Sequence, residues 1–555
     1  MDILRNSVAD AISQIRLGPG IVKSLFSGLL LTHGMVQSIS EFNASCHSIA
    51  SQLLIQNSTV YFSELILANS TIELPDNHPT CRRPSQLILE DTCRIALHIT
   101  TSSQSGINVE AWLPRNWSGR FLSTGNGGLG GCIQYEDMAY GSALGFATIG
   151  ANNGHNGTGG EAFLNNEDVI ADYVYRSVHT SAIAGKEITK KFYGTAHKKS
   201  YFLGCSTGGR QGLKSAQSFP EDFDGIVAGA PANAFSGLQS WSSRFYTITG
   251  PPGSPSFISE REWMEIIHPD ILKQCDILDG IEDGVIEDPN LCDYKPERLI
   301  CSSKSKDKST DCLSAEQAKT VRRIFSPLHS PEGELWYPRQ QPGSEHALIA
   351  RFLYGGTPFP FSADWMRYAI YNDTEFDASA VNITHWVDTH AANPFEIDTW
   401  RGDLSAFKAR NGKLITWHGT ADGLISSANS ERYYNHVSYT MNMPPSDLDA
   451  FYRFFRISGT SHCRGGDGPW EIGQSLMGTG GDLDEESLHP DGNVLQAMVR
   501  WVEQDEAPES LLGTKHIDDS KALGIHSRRR HCRYPLRNRY TGVGNSSQPE
   551  SWSCT

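Results

Sequence analysis

The pentapeptide Gly204-Cys205-Ser206-Thr207-Gly208 is the one match to G-x-S-x-G in this chain. A serine in that pattern sits on a strained turn between a strand and a helix, with its hydroxyl exposed. The flanks fit: Tyr201-Phe202-Leu203 reads as a short buried strand, and residues 210–219 read as a helix. The residue before the serine is Cys205, and far downstream Ser461-His462-Cys463 sets a histidine directly before a cysteine. A bond between Cys205 and Cys463 would tie a nucleophile and a base to one disulfide.

Strand-like and helix-like runs alternate around the elbow. Residues 107–112, 120–123 and 145–150 read as strands, 168–192 as a long helix, and 225–229 as a short buried strand after the elbow helix. This alternation argues for a mostly parallel sheet covered by helices. From about residue 242 to 399 the pattern breaks into Pro- and Gly-rich stretches with two cysteine pairs, which reads as an insertion. Strand patterns resume at 412–418 and 452–457. The layout predicts an α/β-hydrolase core in two parts, residues 41–241 and 400–555, with a large lid domain inserted over 242–399.

Acyl transfer needs a hydroxyl nucleophile, a base and a carboxylate that orients the base. In this fold they follow in the chain order Ser, Asp, His. Asp422 lies in a loop directly after the strand pattern at 412–418, and His462 follows the one at 452–457. Ser206, Asp422 and His462 are therefore the predicted triad. His418 competes as the base, but it precedes the acid. Taken singly, a serine in a Gly-rich turn or an aspartate such as Asp422 is more often structural; the order and placement together favour catalysis. The developing oxyanion needs backbone donors: the N–H after the nucleophile, here Thr207, and one from a Gly-rich loop after an early strand. Residues 125–131, with Gly127 and Gly128 at their centre, supply that loop. A phosphate cradle is the alternative, but the Lys-Ser/Thr of a P-loop is absent.

Composition sets the boundaries. With 39% hydrophobic and 20% charged residues, 555 residues can bury a large core. A formal net charge of −16 argues against nucleic acid as partner. The basic run at 527–531 reads as a solvated face. No stretch is long and apolar enough to suggest a membrane span. The chain has 12 cysteines, several closely spaced, and no CxxC or His-rich zinc spacing. Eight N-x-S/T sequons occur, at Asn43, Asn57, Asn69, Asn116, Asn156, Asn372, Asn382 and Asn545. Paired cysteines with this many sequons point to the secretory route and an extracellular protein. Residues 1–40 are read as a leader: the apolar run at 26–36 resembles a signal core, although Asp2 and Asp10 are atypical of one.

A second cluster runs from Cys275 to Pro289 and carries Asp276, Asp279, Glu282, Asp283, Glu287 and Asp288. Carboxylates three and four apart, broken by glycine, suit a hard cation with oxygen ligands, although the spacing is not that of an EF-hand. The backbone carbonyls of Ile281 and Val285 would complete the shell of a structural Ca2+ site that holds the lid. An acidic surface turn is the plainer alternative.

The Cys205-Ser206, Asp422 and His462-Cys463 arrangement resembles the CS-D-HC pattern of the tannase and fungal feruloyl esterase family. Further matches are 204–212, 224–231, Trp112-Leu113-Pro114 with Trp117, Gly154-His155-Asn156-Gly157, and the 276–288 loop. The resemblance runs from about Cys46 to Cys554 and is strongest toward the type-B feruloyl esterases. It implies the triad named above, Ca2+ held by Asp276, Asp279 and Asp283 with the carbonyls of Ile281 and Val285, and a lid that shapes an aromatic acyl pocket. It also implies disulfides Cys205–Cys463, Cys275–Cys292, Cys301–Cys312, Cys532–Cys554, Cys46–Cys93 and Cys81–Cys132. The implied substrates are esters of ferulic, p-coumaric and caffeic acids on plant cell-wall polysaccharide. Galloyl ester hydrolysis, as by a tannase, is the alternative activity; a non-catalytic secreted calcium-binding glycoprotein is the alternative class.

Overall fold

The computed structural model describes residues 38–302 and 311–555. Most of the expected leader therefore lies outside the described residues. The centre is a nine-stranded sheet. Its strands are β1 (Ser58–Ile66), β2 (Thr92–Thr100), β3 (Gly106–Pro114), β4 (Arg120–Thr124), β5 (Phe146–Ala151), β6 (Lys199–Cys205), β7 (Gly225–Gly229), β8 (Lys413–Gly419) and β9 (Tyr452–Ile457). They lie in the order β1-β2-β3-β5-β4-β6-β7-β8-β9. The run from β5 to β9 is parallel, and β1, β2 and β3 extend it as an antiparallel edge. This is an α/β-hydrolase fold.

The central strands are buried on both faces, which is why β6, β7 and β8 read as unbroken apolar runs rather than alternating ones. One face packs on helices α1 (Ser177–Tyr193), α2 (Thr207–Ser218) and α3 (Ala428–Thr440) through Val178, Leu213 and Val437. The other packs on the helices at Tyr135–Ala143 and Val494–Gln504 through Tyr140, Leu495 and Trp501. Residues between β7 and β8 gather around a separate apolar cluster that includes Trp241, Trp263, Tyr354 and Trp365. The helix Phe235–Thr249 runs unbroken through residue 242, where the composition shifts.

Two elements differ from the expectation. The elbow helix begins at Thr207, directly after the serine, rather than at 210. The long helix expected over 168–192 contains one π turn, Asp172–Arg176, between α-helical segments. A π turn leaves carbonyls out of the regular ladder. Here the fully buried Arg210 of α2 donates to the carbonyls of Tyr173 and Val174 at 3.1 and 2.9 Å. The distortion thus supplies acceptors for a buried cation, a tertiary demand that periodicity does not reveal.

The start of α2 leaves no room for side chains. A Cβ on Gly209 would lie 2.2 Å from the Gly229 carbonyl oxygen of β7, and one on Gly204 would lie 2.8–2.9 Å from the Gly208 backbone. Gly209→Ala is expected to destabilise the protein by about 1–3 kcal/mol or more, because backbone cannot yield as a side chain does. A lowered midpoint in urea unfolding checks this.

Candidate active site

Ser206 sits between the end of β6 and the start of α2 with φ 65° and ψ −121°. That conformation is strained for any residue but glycine, and such strain concentrates at functional sites. Its N–H donates to the Gly229 carbonyl at 3.0 Å and its carbonyl accepts from Arg210 and Ala232, so the surroundings hold the strained turn.

Asp422 follows β8 and is fully buried. Oδ1 accepts from the N–H groups of Leu424 and Ile425 at 2.9 and 3.0 Å. Oδ2 accepts from His462 Nδ1 at 2.8 Å and His418 Nε2 at 3.1 Å. Burial alone would raise the Asp422 carboxyl pKa, but the imidazole of His462 and the bonds from His418 and His462 outweigh it and hold the group well below the usual carboxylate range. The geometry separates the two histidines. His418 is fully buried, with Nδ1 against Ser430 Oγ at 2.7 Å and Nε2 also on the Ile425 carbonyl at 3.0 Å. His462 is partly open, spends Nδ1 on Asp422, and borders the same cavity as Ser206. His418 is therefore a second anchor for Asp422, and His462 keeps Nε2 for the substrate side.

Cys205 and Cys463 are bonded, with Cα atoms 6.0 Å apart. The other cysteines pair as Cys46–Cys93, Cys81–Cys132, Cys275–Cys292, Cys301–Cys312 and Cys532–Cys554, the set the resemblance implies.

Ser206, Thr207, Gly128 and Leu129 line one cavity. Its walls are mainly apolar: Phe235, Leu238, Phe359, Phe361, Leu424 and Ile425. Gln239 and Ser242 add polar groups. The glycine-rich loop is pinned carbonyl by carbonyl. Asn126 O accepts from Gly208 N–H at 2.8 Å, and Gly127 O from Gly130 N–H at 3.0 Å. Gly128 O accepts from Thr207 Oγ1 at 2.6 Å and Tyr173 Oη at 2.8 Å, and Leu129 O lies 2.8 Å from His155 Nε2. A trans peptide sets each N–H opposite the preceding carbonyl, so holding the carbonyls aims the amides. Gly128 has φ 59°, which favours glycine. Gly127 is absent from the cavity lining. Tyr173 escaped the sequence reading, while Asn126 and Gln211, which bonds Asn126 through both ends of its amide, lay inside the 125–131 loop and the 204–212 match without a role. Only the Gly154–Gly157 match hinted at His155.

The acidic loop is more closely tied to the site than its sequence suggests. Glu287 accepts from Ser458 Oγ at 2.6 Å, at the end of β9, and Ile286 O accepts from Thr420 Oγ1 at 3.4 Å, two residues before Asp422. Arg529 bridges Asp283 and Glu287 at 2.6 and 2.8 Å. No group of three or more His, Cys, Asp or Glu side chains gathers as a metal cluster among the described residues. Yet Asp276 Oδ1 and Asp279 Oδ2 are buried without a hydrogen-bond partner. Burial, with Glu287 and Asp283 nearby, pushes the Asp279 pKa up to about 7. Buried carboxylate oxygens left unpaired are costly, and they fit an oxygen-seeking cation. Seven of the sequon asparagines are exposed and Asn43 is half-buried.

This fold and arrangement define a carboxylic ester hydrolase. The chain belongs to the tannase and feruloyl esterase family, whose description matches residues 93–555. It is 50% identical over 513 residues to a probable feruloyl esterase B-2 of Aspergillus oryzae, covering 92% of this chain and 95% of that one. A crystal structure of an esterase from Aspergillus oryzae superposes with TM-score 0.89 at 50% identity, over 93% of this chain and all of the other. That of feruloyl esterase B from the same organism gives 0.88 at 46% identity with the same coverage of this chain and 100% of the other.

The Tyr173 hydroxyl donates to the Gly128 carbonyl, so Tyr173→Phe is expected to lower kcat about tenfold or more with KM little changed, as loss of one oxyanion-side support does. Steady-state kinetics alongside a thermal melt checks this; equal losses in kcat and stability would mark a merely structural role.

Proposed function

We propose that this chain is a secreted feruloyl esterase that releases ferulic and related hydroxycinnamic acids from plant cell-wall polysaccharide esters through a feruloyl-enzyme intermediate. The observation that carries the reading is the cavity over Ser206. It is walled by Phe235, Phe359, Phe361 and Leu238, with His462 at its edge. Such a lining suits a methoxylated cinnamoyl ring better than the three ring hydroxyls of gallate, each of which would need a buried partner. The feruloyl esterase relatives support the same substrate class. The strained serine and the Asp422–His462 pair argue against a non-catalytic glycoprotein, which would have no use for either.

In this mechanism His462 Nε2 takes the proton of Ser206 Oγ as Oγ attacks the ester carbonyl carbon. Asp422 stays ionised and stabilises the imidazolium. The Thr207 N–H and an amide of the 127–129 loop stabilise the oxyanion. The carbon–oxygen bond to the sugar breaks and the alcohol leaves with the proton from His462. Water, deprotonated by His462, then releases the acid from Ser206. Ser206→Ala is expected to cut kcat by about 10^3-fold or more. Methyl ferulate should be turned over faster than methyl gallate by the unaltered enzyme; the reverse preference would point to tannase activity.

A structural Ca2+ is part of the proposal. Asp276, Asp279 and Asp283 with the carbonyls of Ile281 and Val285 would hold it, and it would supply the missing partners of Asp276 and Asp279. Bound at about 100-fold over its dissociation constant, it would add about 2.7 kcal/mol to stability. Calcium is expected to raise the thermal midpoint by a few degrees and EGTA to reverse this, with the response lost in Asp279→Asn. Secretion is favoured by six disulfides and by sequons that face solvent. No helix among the described residues is long and apolar enough to cross a membrane.

A further inference from the structure

A second cleft, of about 330 Å3, opens beside the glycine-rich loop. Gly128 and Leu129 face the Ser206 cavity, while Gly131 and Ile133 line this cleft, so one short loop divides the two. Its outer wall is β1, the edge strand of the sheet. Val60 pairs with Leu97 and Phe62 with Ala96, which leaves Tyr61 as an extra, unpaired residue. Successive strand residues ordinarily point to opposite faces, and a bulge cancels that alternation. Tyr61 and Phe62 therefore both line the cleft, 59% and 37% exposed. The Arg94 guanidinium lies 4.9 Å from the centre of the Phe62 ring, while Tyr61 is the more exposed of the two, so the edge strand carries aromatic surface that the core does not require.

The polar side of the cleft is equally specific. Arg94 is the one cation among its lining residues, and it is committed. Its Nε and Nη2 donate to Glu110 at 2.8 and 2.7 Å and its Nη1 to Glu64 at 3.2 Å. Glu73 and Asp76 stand at the rim without such a partner in the cleft, so an anionic ligand is disfavoured. Asn108 uses its Oδ1 toward Tyr61 and His98, and Asn77 uses its Nδ2 toward Arg83, leaving an amide donor and an amide acceptor for a ligand. Aromatic faces beside amides and carboxylates recognise an uncharged ring bearing hydroxyls: the rings take its C–H face, and the polar groups take its hydroxyls.

We propose that this cleft seats the neutral polysaccharide chain of the ester substrate while the phenolic acyl group occupies the Ser206 cavity. The proposal rests on the feruloyl esterase reading above. Its test is the double variant Tyr61→Ala/Phe62→Ala, whose side chains contribute little to the core. In a Ser206→Ala background, affinity for soluble neutral arabinoxylan is expected to fall about tenfold or more, as removal of aromatic anchors does. In the active enzyme, kcat/KM should fall by a similar factor on feruloylated arabinoxylan and stay unchanged on methyl ferulate. Unaltered arabinoxylan affinity, or equal loss on both substrates, overturns the proposal. Failure of the unaltered enzyme to hydrolyse methyl ferulate would instead overturn the functional reading. Asn156 borders the cleft and begins a sequon. A glycan there would compete with polysaccharide, so any arabinoxylan affinity gained in Asn156→Gln is expected to be lost again on adding Tyr61→Ala/Phe62→Ala; a gain that survives those changes overturns the proposal.

Discussion

The bond between Cys205 and Cys463 is the constraint on which the site depends. Cys205 ends β6 and Cys463 follows β9, and β7 and β8 lie between those strands. Adjacent strands are about 4.8 Å apart, so β6 and β9 are roughly 14 Å apart in the sheet. The loop after β9 must therefore arch back over the ends of β8 and β7 to bring its cysteine within 6.0 Å of Cys205 by Cα. The arch carries His462 over Asp422 at the end of β8 and to the edge of the Ser206 cavity. Cys463 itself has φ 64°, the left-handed turn that directs the chain back.

Once the arch is set, the burial of Asp422 follows. An ionised carboxylate with no exposure survives only if its lone pairs are filled. Two backbone amides and two imidazoles fill them. The acidic loop braces the same region through Ser458 and Thr420, so the β8 and β9 ends are held from two sides. The glycine-rich loop is fixed in the same manner, by hydroxyl and imidazole groups on its carbonyls. In both places the polar groups behind the site hold the groups that face substrate.

Much of the fold was legible because its signals are local. The strands at 107–112, 120–123, 201–203, 225–229 and 452–457 lie within the observed ones, and 145–150 does so but for Gly145. Buried parallel strands need continuous apolar runs, and the elbow needs glycines where backbones touch. The antiparallel strands β1 and β2 were not seen, since β1 is a half-exposed edge whose mixed pattern and bulge blur its period. The π turn was hidden because its cause, Arg210, lies on another helix. Ser206, Asp422 and His462 could be picked by order and strand-end placement. Tyr173 and Gln211 could not, because each acts through a backbone group far away in sequence.

The sequence by itself determined the class of chemistry: an elbow serine, an acid and a histidine in one chain order, with cysteines flanking nucleophile and base. Residue identity and spacing carry that information, because chemistry depends on side-chain type and the elbow on local sterics. Chain order already favoured His462 over His418; only the tertiary structure decided how the two differ in solvent access. His418 and His462 both bond Asp422, and burial alone leaves one of them open to the cavity. It also decided that the acidic loop braces the catalytic loops and that an edge-strand bulge turns two aromatic rings into one cleft. Those outcomes depend on distance and solvent access between segments remote in the chain, which no local pattern encodes.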